Sequence, residues 1–202
     1  MAYKELEAKF QVDEKSFKKI KTWLKKNSKF VGKENHEEYY FDHKEAPLTF
    51  LGEDNIRDAA DYLRIRKGKG GKYSICLKKW HKHPVRTEEY THCDEYEFEV
   101  SDGAIAKELL INIGYSDLTE VIKKRLKYKY KKFEIVIDDV KNLGKFIEIE
   151  LKDKFDDTDV AYERIWDLLR QIGIKEITEM SRGYVSMLWN PNKDFGKVRK
   201  LS

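Results

Sequence analysis

Between Lys4 and Val12 the chain alternates Leu6, Ala8, Phe10 and Val12 with Glu5, Glu7, Lys9 and Gln11. A period of two sends successive side chains to opposite faces, so this segment predicts a strand with one apolar and one charged face. The period then changes. After Asp13, a suitable cap, Phe17, Ile20, Lys21 and Leu24 recur at helical spacing up to about Asn27. Residues 37–42 and 61–67 predict further strands, separated by a loop with Pro47 and Gly52. Gly68, Gly70 and Gly71 supply the positive φ of a turn, and 72–79 is the hairpin partner. Residues 87–100 suit one long strand or two shorter ones, with a bulge near Cys93. Ser101 or Asp102 caps a second helix to about Ile113, which Gly114 ends. Strands follow at 118–130, 132–140 and 145–152, the last two joined by a turn at 142–144. A third helix runs from Asp157 or Thr158 through Ile172 and stops at Gly173. Residues 181–189 suit a strand or a short helix, and the basic end after Pro191 is expected to be loose.

No repeat or linker interrupts this order, so one domain over 1–190 with a basic tail at 191–202 is expected. Many strands with few intervening helices predict an α+β fold whose antiparallel sheet closes or nearly closes. Closure removes edges and divides side chains between lumen and exterior, so several charged strand faces could share one interior.

Composition sharpens that idea. Of the 202 residues 40% are apolar and 39% charged, against about 25% charged in an ordinary soluble domain. Either the surface is laced with ion pairs or the interior is charged. The net charge is only +4. Lys and Arg gather at 64–69, 78–86 and 123–132, and acids at 88–102 and 148–159. This lacks the one dominant basic face of a general nucleic-acid binder. Two cysteines, no leader pattern and no apolar run near ~18 residues predict a reduced, cytoplasmic protein without a membrane partner.

Four groups carry candidate chemistry. Glu5 and Glu7 share a strand face with Lys9, and paired carboxylates are hard oxygen ligands of the kind Mg²⁺ prefers. Arg64 and Arg66 share another face, with Lys78 and Arg86 nearby, and the guanidinium fork matches phosphate oxygens. Lys123, Arg125 and Lys127 form a third group; Glu148 and Glu150, preceded by Asp138, form a fourth. Each alone suits a solvated strand face. Together they suggest acids holding a metal and bases holding phosphate. His81 and His83 lack a third soft ligand at suitable spacing and suit a solvated loop.

These residues also carry a resemblance. Glu5 to Phe10 is similar to the ExExK signature of the CYTH superfamily, the triphosphate tunnel metalloenzymes, which include class IV adenylate cyclases and thiamine triphosphatases. Tyr40-Phe41-Asp42 resembles the family's YFD strand, Leu63 to Arg66 its LRIR segment, and Lys78 its lysine. Val121 to Tyr128 resembles the stretch with K-x-R, and Asp138 to Glu150 the D-x-V-x-x-L-G-x-F-x-E-I-E block. Arg182-Gly183-Tyr184 stands where R-S-Y is common, and His36 and Glu38 replace the Gln and Asp before YFD.

The resemblance implies a closed eight-stranded antiparallel β-barrel with helices packed outside. It also implies Mg²⁺ or Mn²⁺ on Glu5, Glu7, Glu148 and Glu150, with Asp138 assisting. Lys9, Arg64, Arg66, Lys78, Arg86, Lys123, Arg125 and Arg182 would bind a triphosphate, with Lys9, Lys78 and Tyr40 in catalytic roles. The implied substrate is tripolyphosphate, ATP or thiamine triphosphate. Hydrolysis, cyclisation of ATP to cyclic AMP, and non-catalytic binding of polyphosphate or nucleotide all stay open, as does a homodimer. The acidic strand after Arg86 has two registers, one presenting Glu88 and the other Glu95, Glu97 and Glu99.

Overall fold

The computed structural model describes residues 3–52, 55–82 and 90–201. In chain order the first elements are β1 (Tyr3–Glu5), β2 (Glu7–Gln11), α1 (Glu14–Asn27) and β3 (Lys29–His43). Next come β4 (Thr49–Leu51), β5 (Arg57–Ala59), β6 (Asp61–Lys67), β7 (Tyr73–Lys82), β8 (Tyr90–Val100) and α2 (Gly103–Asn112). The remainder is β9 (Tyr115–Tyr130), β10 (Phe133–Val140), β11 (Gly144–Leu151), α3 (Thr158–Ile172), β12 (Glu176–Met180), α4 (Tyr184–Trp189) and β13 (Gly196–Lys200). Among the described residues no helix is long and apolar enough to cross a membrane.

The fold is α+β with a large antiparallel sheet, but the expected closed eight-stranded barrel is not formed. Among the described residues eleven strands pair in the open order β1-β8-β7-β6-β3-β9-β10-β11-β2-β12-β13, and β4 and β5 form a separate ribbon. The reason for the mismatch is physical. Alternation fixes which face of a strand is charged, and an open sheet satisfies it as well as a barrel does. Closure needs a bond between the two end strands, on which the pattern is silent.

The chain forms two compact units. The first comprises Met1–Lys4, Asn35–Lys123 and Gly183–Lys193. In it Phe41, Leu63 and Ile65 on one sheet face pack with Ala106 and Leu110 of α2. Asp102 caps that helix, accepting from the amides of Ala104 and Ile105. Gly103 opens it against the Tyr73 ring, where a Cβ would lie 2.2 Å from a ring carbon. α4 resolves the strand-or-helix alternative at 181–189 in favour of a short helix. Ser186 on it donates to buried Asp58, and Asn190 bonds the backbone of Arg57.

The second unit comprises Glu5–Glu34, Lys124–Arg182 and Asp194–Ser202. Its core joins Leu6, Ala8 and Phe10 with Ile135, Ile137, Ile147 and Ile149 and the apolar stripes of α1 and α3. Phe10 lies edge-on to Trp166 at 5.5 Å. Asp13 caps α1 through the Ser16 amide, Asp157 caps α3, and Gly173 ends α3 at φ 83°. The end expected to be loose contains β13, which pairs with β12 from Glu176↔Lys200 to Met180↔Gly196.

Gly103→Ala should lower stability by about 1–3 kcal/mol, because the added methyl must displace a packed ring. A thermal or urea midpoint equal to wild type would show that Tyr73 moves aside at no cost.

Candidate functional site

Cross-strand register builds one charged face in each unit. In the first unit Tyr40 pairs with Arg64 and Glu38 with Arg66 between β3 and β6. Arg64 and Arg66 then oppose Cys76 and Ser74 on β7, which oppose Glu97 and Glu99 on β8; Lys78 opposes Glu95. These residues therefore share the face opposite the apolar one. Glu95, Glu97 and Glu99, one of the two expected sets, line this face; Glu88, the other, lies outside the described residues.

Every expected phosphate ligand described on this face meets a carboxylate. Lys78 Nζ is 3.7 Å from Glu95, and Arg66 pairs with Glu97, which also accepts from Ser74. Arg64 Nη2 reaches Glu95 at 3.9 Å while its Nη1 reaches Glu38 at 3.3 Å. Lys123 Nζ is 3.0 Å from the same Glu38 oxygen and 5.2 Å from the Tyr184 ring centroid. Burial opposes the Arg64 charge most, but Glu38, Tyr40 and Cys76 together outweigh it and hold the pKa well above the ordinary arginine value.

Tyr40 donates its hydroxyl to Glu38 at 3.0 Å. Burial and that carboxylate push its pKa far up, despite Arg64, so the phenol stays protonated at neutral pH. It can donate a hydrogen bond and is not a base there. Burial, reinforced by Glu95 against the pull of Arg64, also pushes the Cys76 thiol up to about 12. That thiol is no nucleophile at neutral pH.

The face of the second unit is built on β2, β11 and β10. Lys9 opposes Glu148, and Glu7 opposes Glu150, which on its other side opposes Glu134. Lys9 Nζ is 2.9 Å from Glu148. Burial works against the Lys9 ammonium, but Glu148, Glu7 and Asp138 outweigh it and hold the pKa above the ordinary lysine value. Arg125 spans two acids: Nε to Asp138 at 2.8 Å, and Nη2 to Asp138 and Glu148, each at 2.5 Å. Lys127 meets Glu134 at 2.7 Å, and Lys152 meets Glu150.

Glu7, Glu148 and Glu150 carry hard carboxylate oxygens, the donor chemistry that suits Mg²⁺ or Mn²⁺. Glu148 and Glu150 are turned toward cations. Among the described residues no three His, Cys, Asp or Glu side chains are gathered as a ready metal-binding group. The placement of Asp138 is distinct, since both its oxygens accept from Arg125 and its side chain is fully buried. That arrangement orients a guanidinium.

Arg86 and the side chain of Glu5 lie outside the described residues. Arg182 belongs to the second unit, where its guanidinium donates to the Ser181 carbonyl at 3.2 Å. Sequence reasoning leaves Glu38 as a bare departure from a motif, and it does not foresee Tyr184 beneath Lys123. The acids opposite the cations are findable in part, because Glu95, Glu97 and Glu99 alternate with Tyr96 and Phe98.

Comparison with known proteins agrees with the family resemblance. The CYTH domain family matches residues 3–184. A Methanocaldococcus jannaschii protein, provisionally named an adenylate cyclase, is 25% identical over 185 residues, covering 91% of this chain and 97% of its own. The PH1819 protein of Pyrococcus horikoshii OT3 superposes with a TM-score of 0.73 at 27% identity, over 93% of this chain and 99% of its own. A Hippeastrum protein, named provisionally as an adenylyl cyclase and described as having a dominant triphosphatase activity, superposes with a TM-score of 0.62. It is 16% identical over 91% of each chain, a likeness of fold.

The Arg125 cluster makes a direct prediction. Asp138→Asn leaves a half-buried guanidinium short of a charge and should destabilise the protein by about 3–5 kcal/mol, the cost of breaking a buried pair. Chemical denaturation measures it, and a loss under about 1 kcal/mol would mean that Glu148 alone holds Arg125.

Proposed function

The chain belongs to the CYTH domain family, and from that premise we propose that it is a divalent-metal-dependent enzyme hydrolysing a triphosphate, inorganic or organic. The observation supporting this most is the set of cations kept in place by carboxylates on the two strand faces. Arg64, Arg66, Lys78 and Lys123 belong to the first unit, Lys9 and Arg125 to the second. Fixed cations of this kind suit phosphoryl transfer, where the protein mainly positions charge and stabilises its redistribution.

Each side chain then has a definable task. The arginines present planar forks to phosphate oxygens, and the lysines present mobile point charges. Tyr40, protonated at neutral pH, donates a hydrogen bond. Asp138 orients Arg125. Glu7, Glu148 and Glu150, with Glu5, would hold Mg²⁺ or Mn²⁺. When bound, such an ion polarises phosphoryl oxygens and orients the phosphate chain.

The name of the M. jannaschii relative favours a second reading, cyclisation of ATP with release of pyrophosphate. The Hippeastrum protein weakens that inference, since a cyclase name and a dominant triphosphatase activity meet in one protein. Both reactions use the same grip on phosphate and differ in which phosphorus meets the nucleophile.

Orthophosphate release from tripolyphosphate, ATP and thiamine triphosphate, with and without Mg²⁺ or Mn²⁺, tests the proposal. Release from at least one of them only with metal is expected. Cyclic AMP and pyrophosphate from ATP would replace it with the second reading, and binding without turnover under either metal would remove the enzyme altogether. Arg66→Ala should raise KM about 10- to 150-fold, matching the ~1.5–3 kcal/mol of a charged hydrogen bond. An unchanged KM would remove Arg66 from the phosphate ligands.

A further inference from the structure

We propose that Glu38 is a positioning residue of the phosphate-binding face, its buried carboxylate keeping Lys123 charged and, with Arg64, aimed for phosphate. The inference rests on the triphosphate reading above and adds to it the group on which two of its cations depend.

Glu38 is 0% exposed and Lys123 4% exposed. A carboxylate removed from water to this degree costs several kcal/mol unless partners replace the lost hydration. Here they do. Lys123 Nζ at 3.0 Å and Arg64 Nη1 at 3.3 Å converge on Oε1, and the Tyr40 hydroxyl donates to Oε2 at 3.0 Å. His36 Nδ1 lies 3.8 Å from Oε1.

One anion therefore serves two cations, just as Glu95 serves Arg64 and Lys78. Among the described residues, Arg64, Lys78 and Lys123 with Glu38 and Glu95 carry one positive charge in excess, which is what a phosphate oxygen requires. Lys123 and Arg64 differ in how far they need Glu38. A guanidinium stays charged in almost any surroundings, whereas a buried ammonium sheds its proton readily. Without Glu38, Lys123 would be buried next to Arg64 with like charge on one side and the Tyr184 ring on the other. Desolvation and like charge both act to discharge it. The described groups facing this pair include Glu38, His36 and Tyr40 from β3, Arg64 from β6 and Tyr184 from α4.

The position of Lys123 is set from a second side. Its ammonium lies over the Tyr184 ring, and the same helix is tied down by the Ser186–Asp58 hydrogen bond at 2.6 Å. Arg64 is held from its far side by Glu95. Glu38 is thus the shared point between two anchored cations. A carboxylate in this place could instead compete with phosphate for them. That alternative predicts the opposite sign, because removing a competitor tightens binding.

The test compares Glu38→Gln, Glu38→Asp, Lys123→Met and the Glu38→Gln/Lys123→Met pair in the full chain. The ¹³Cε resonance of Lys123, followed through a pH titration, reports its proton without reference to activity. Its midpoint should fall by about 1–3 pH units in Glu38→Gln, the usual effect of one neighbouring charge, and stay near wild type in Glu38→Asp. In tripolyphosphate hydrolysis Glu38→Gln should raise KM at least about tenfold, as for a lost charged contact, with a smaller change in kcat, and move the alkaline limb of the kcat/KM profile to lower pH. Glu38→Asp should recover most of the loss. In the Lys123→Met background the Gln substitution should add only the smaller effect carried by Arg64, and this pair, burying no unmatched lysine, keeps the test open should Glu38→Gln fail to fold. An unmoved Lys123 midpoint, or a lower KM in Glu38→Gln, overturns the proposal. A shifted midpoint in a chain that hydrolyses no triphosphate would uphold the dependence of Lys123 on Glu38 and overturn the proposed function instead.

Discussion

A cation withdrawn into a sheet face needs a carboxylate within reach, and both units are organised around that need. Register does most of the work: it sets Lys78 opposite Glu95 and Lys9 opposite Glu148, while long side chains make diagonals such as Arg66–Glu97. Attraction in such a pair is about 4 kcal/mol at ~4 Å for an effective dielectric near ~20. Desolvation of the two ions is of similar size. The pairs therefore contribute little net stability and mainly fix where charges sit. Stability comes from the opposite faces, where Ile135, Ile147, Ile149 and their neighbours meet α1 and α3, and where Phe41, Leu63 and Ile65 meet α2. Each fully buried aliphatic or aromatic side chain there contributes about 1.5–3 kcal/mol. In each unit one face packs the core while the other carries the paired charges.

On the proposed function, this division has a consequence for binding. In the second unit phosphate oxygens would take over Lys9 and Arg125 from Glu148, and a divalent ion would accept that carboxylate in exchange, whereas Glu38 stays with Lys123 and Arg64. Glu148 shows the linkage within one residue, because it faces Lys9 and Arg125 and also belongs to the donor set suited to a metal. The two exchanges support each other thermodynamically, since each releases partners that the other uses. Charge is conserved through the exchange, so neither a bare cation nor a bare carboxylate is left buried.

Much of this is legible in the sequence. Alternation at Lys4–Val12 and in the DDVKNLGKFIEIE stretch marks the strands and their charged faces, and Asp13, Asp102, Asp157 and Gly173 mark helix ends through simple capping chemistry. Other parts have no local signal. The first half of β3, Lys29 to about Asn35, has no regular apolar alternation and is largely exposed, so only hydrogen bonding reveals it as strand. The pairing near the chain end, from Gly196 to Lys200, involves too few apolar residues to announce itself. Closure is the larger error, and its cause is general. The period of a strand is a property of one segment, whereas closure is a relation between two segments distant in sequence. The same distinction explains Glu38. A single acid beside YFD in sequence says nothing about Lys123 and Arg64, which join it only when β3, β6 and the strand carrying Lys123 are assembled.

The division of labour between arginine and lysine follows from the same packing. Arg125 bridges Asp138 and Glu148, and Arg64 bridges Glu38 and Glu95, each fork engaging two acids at once. Lys127 meets Glu134 and Lys78 meets Glu95 through one nitrogen on a flexible stem. A fork held at two points cannot follow a moving ligand, but it defines a fixed site for a planar group of oxygens. A lysine's single ammonium sits on a stem that can swing by rotation. In a reaction whose phosphorus moves between nucleophile and leaving group while charge shifts among its oxygens, both properties are needed. On the proposed function, Arg64 would offer phosphate a fixed planar partner and Lys78, in the same unit, a charge on a stem that can follow it.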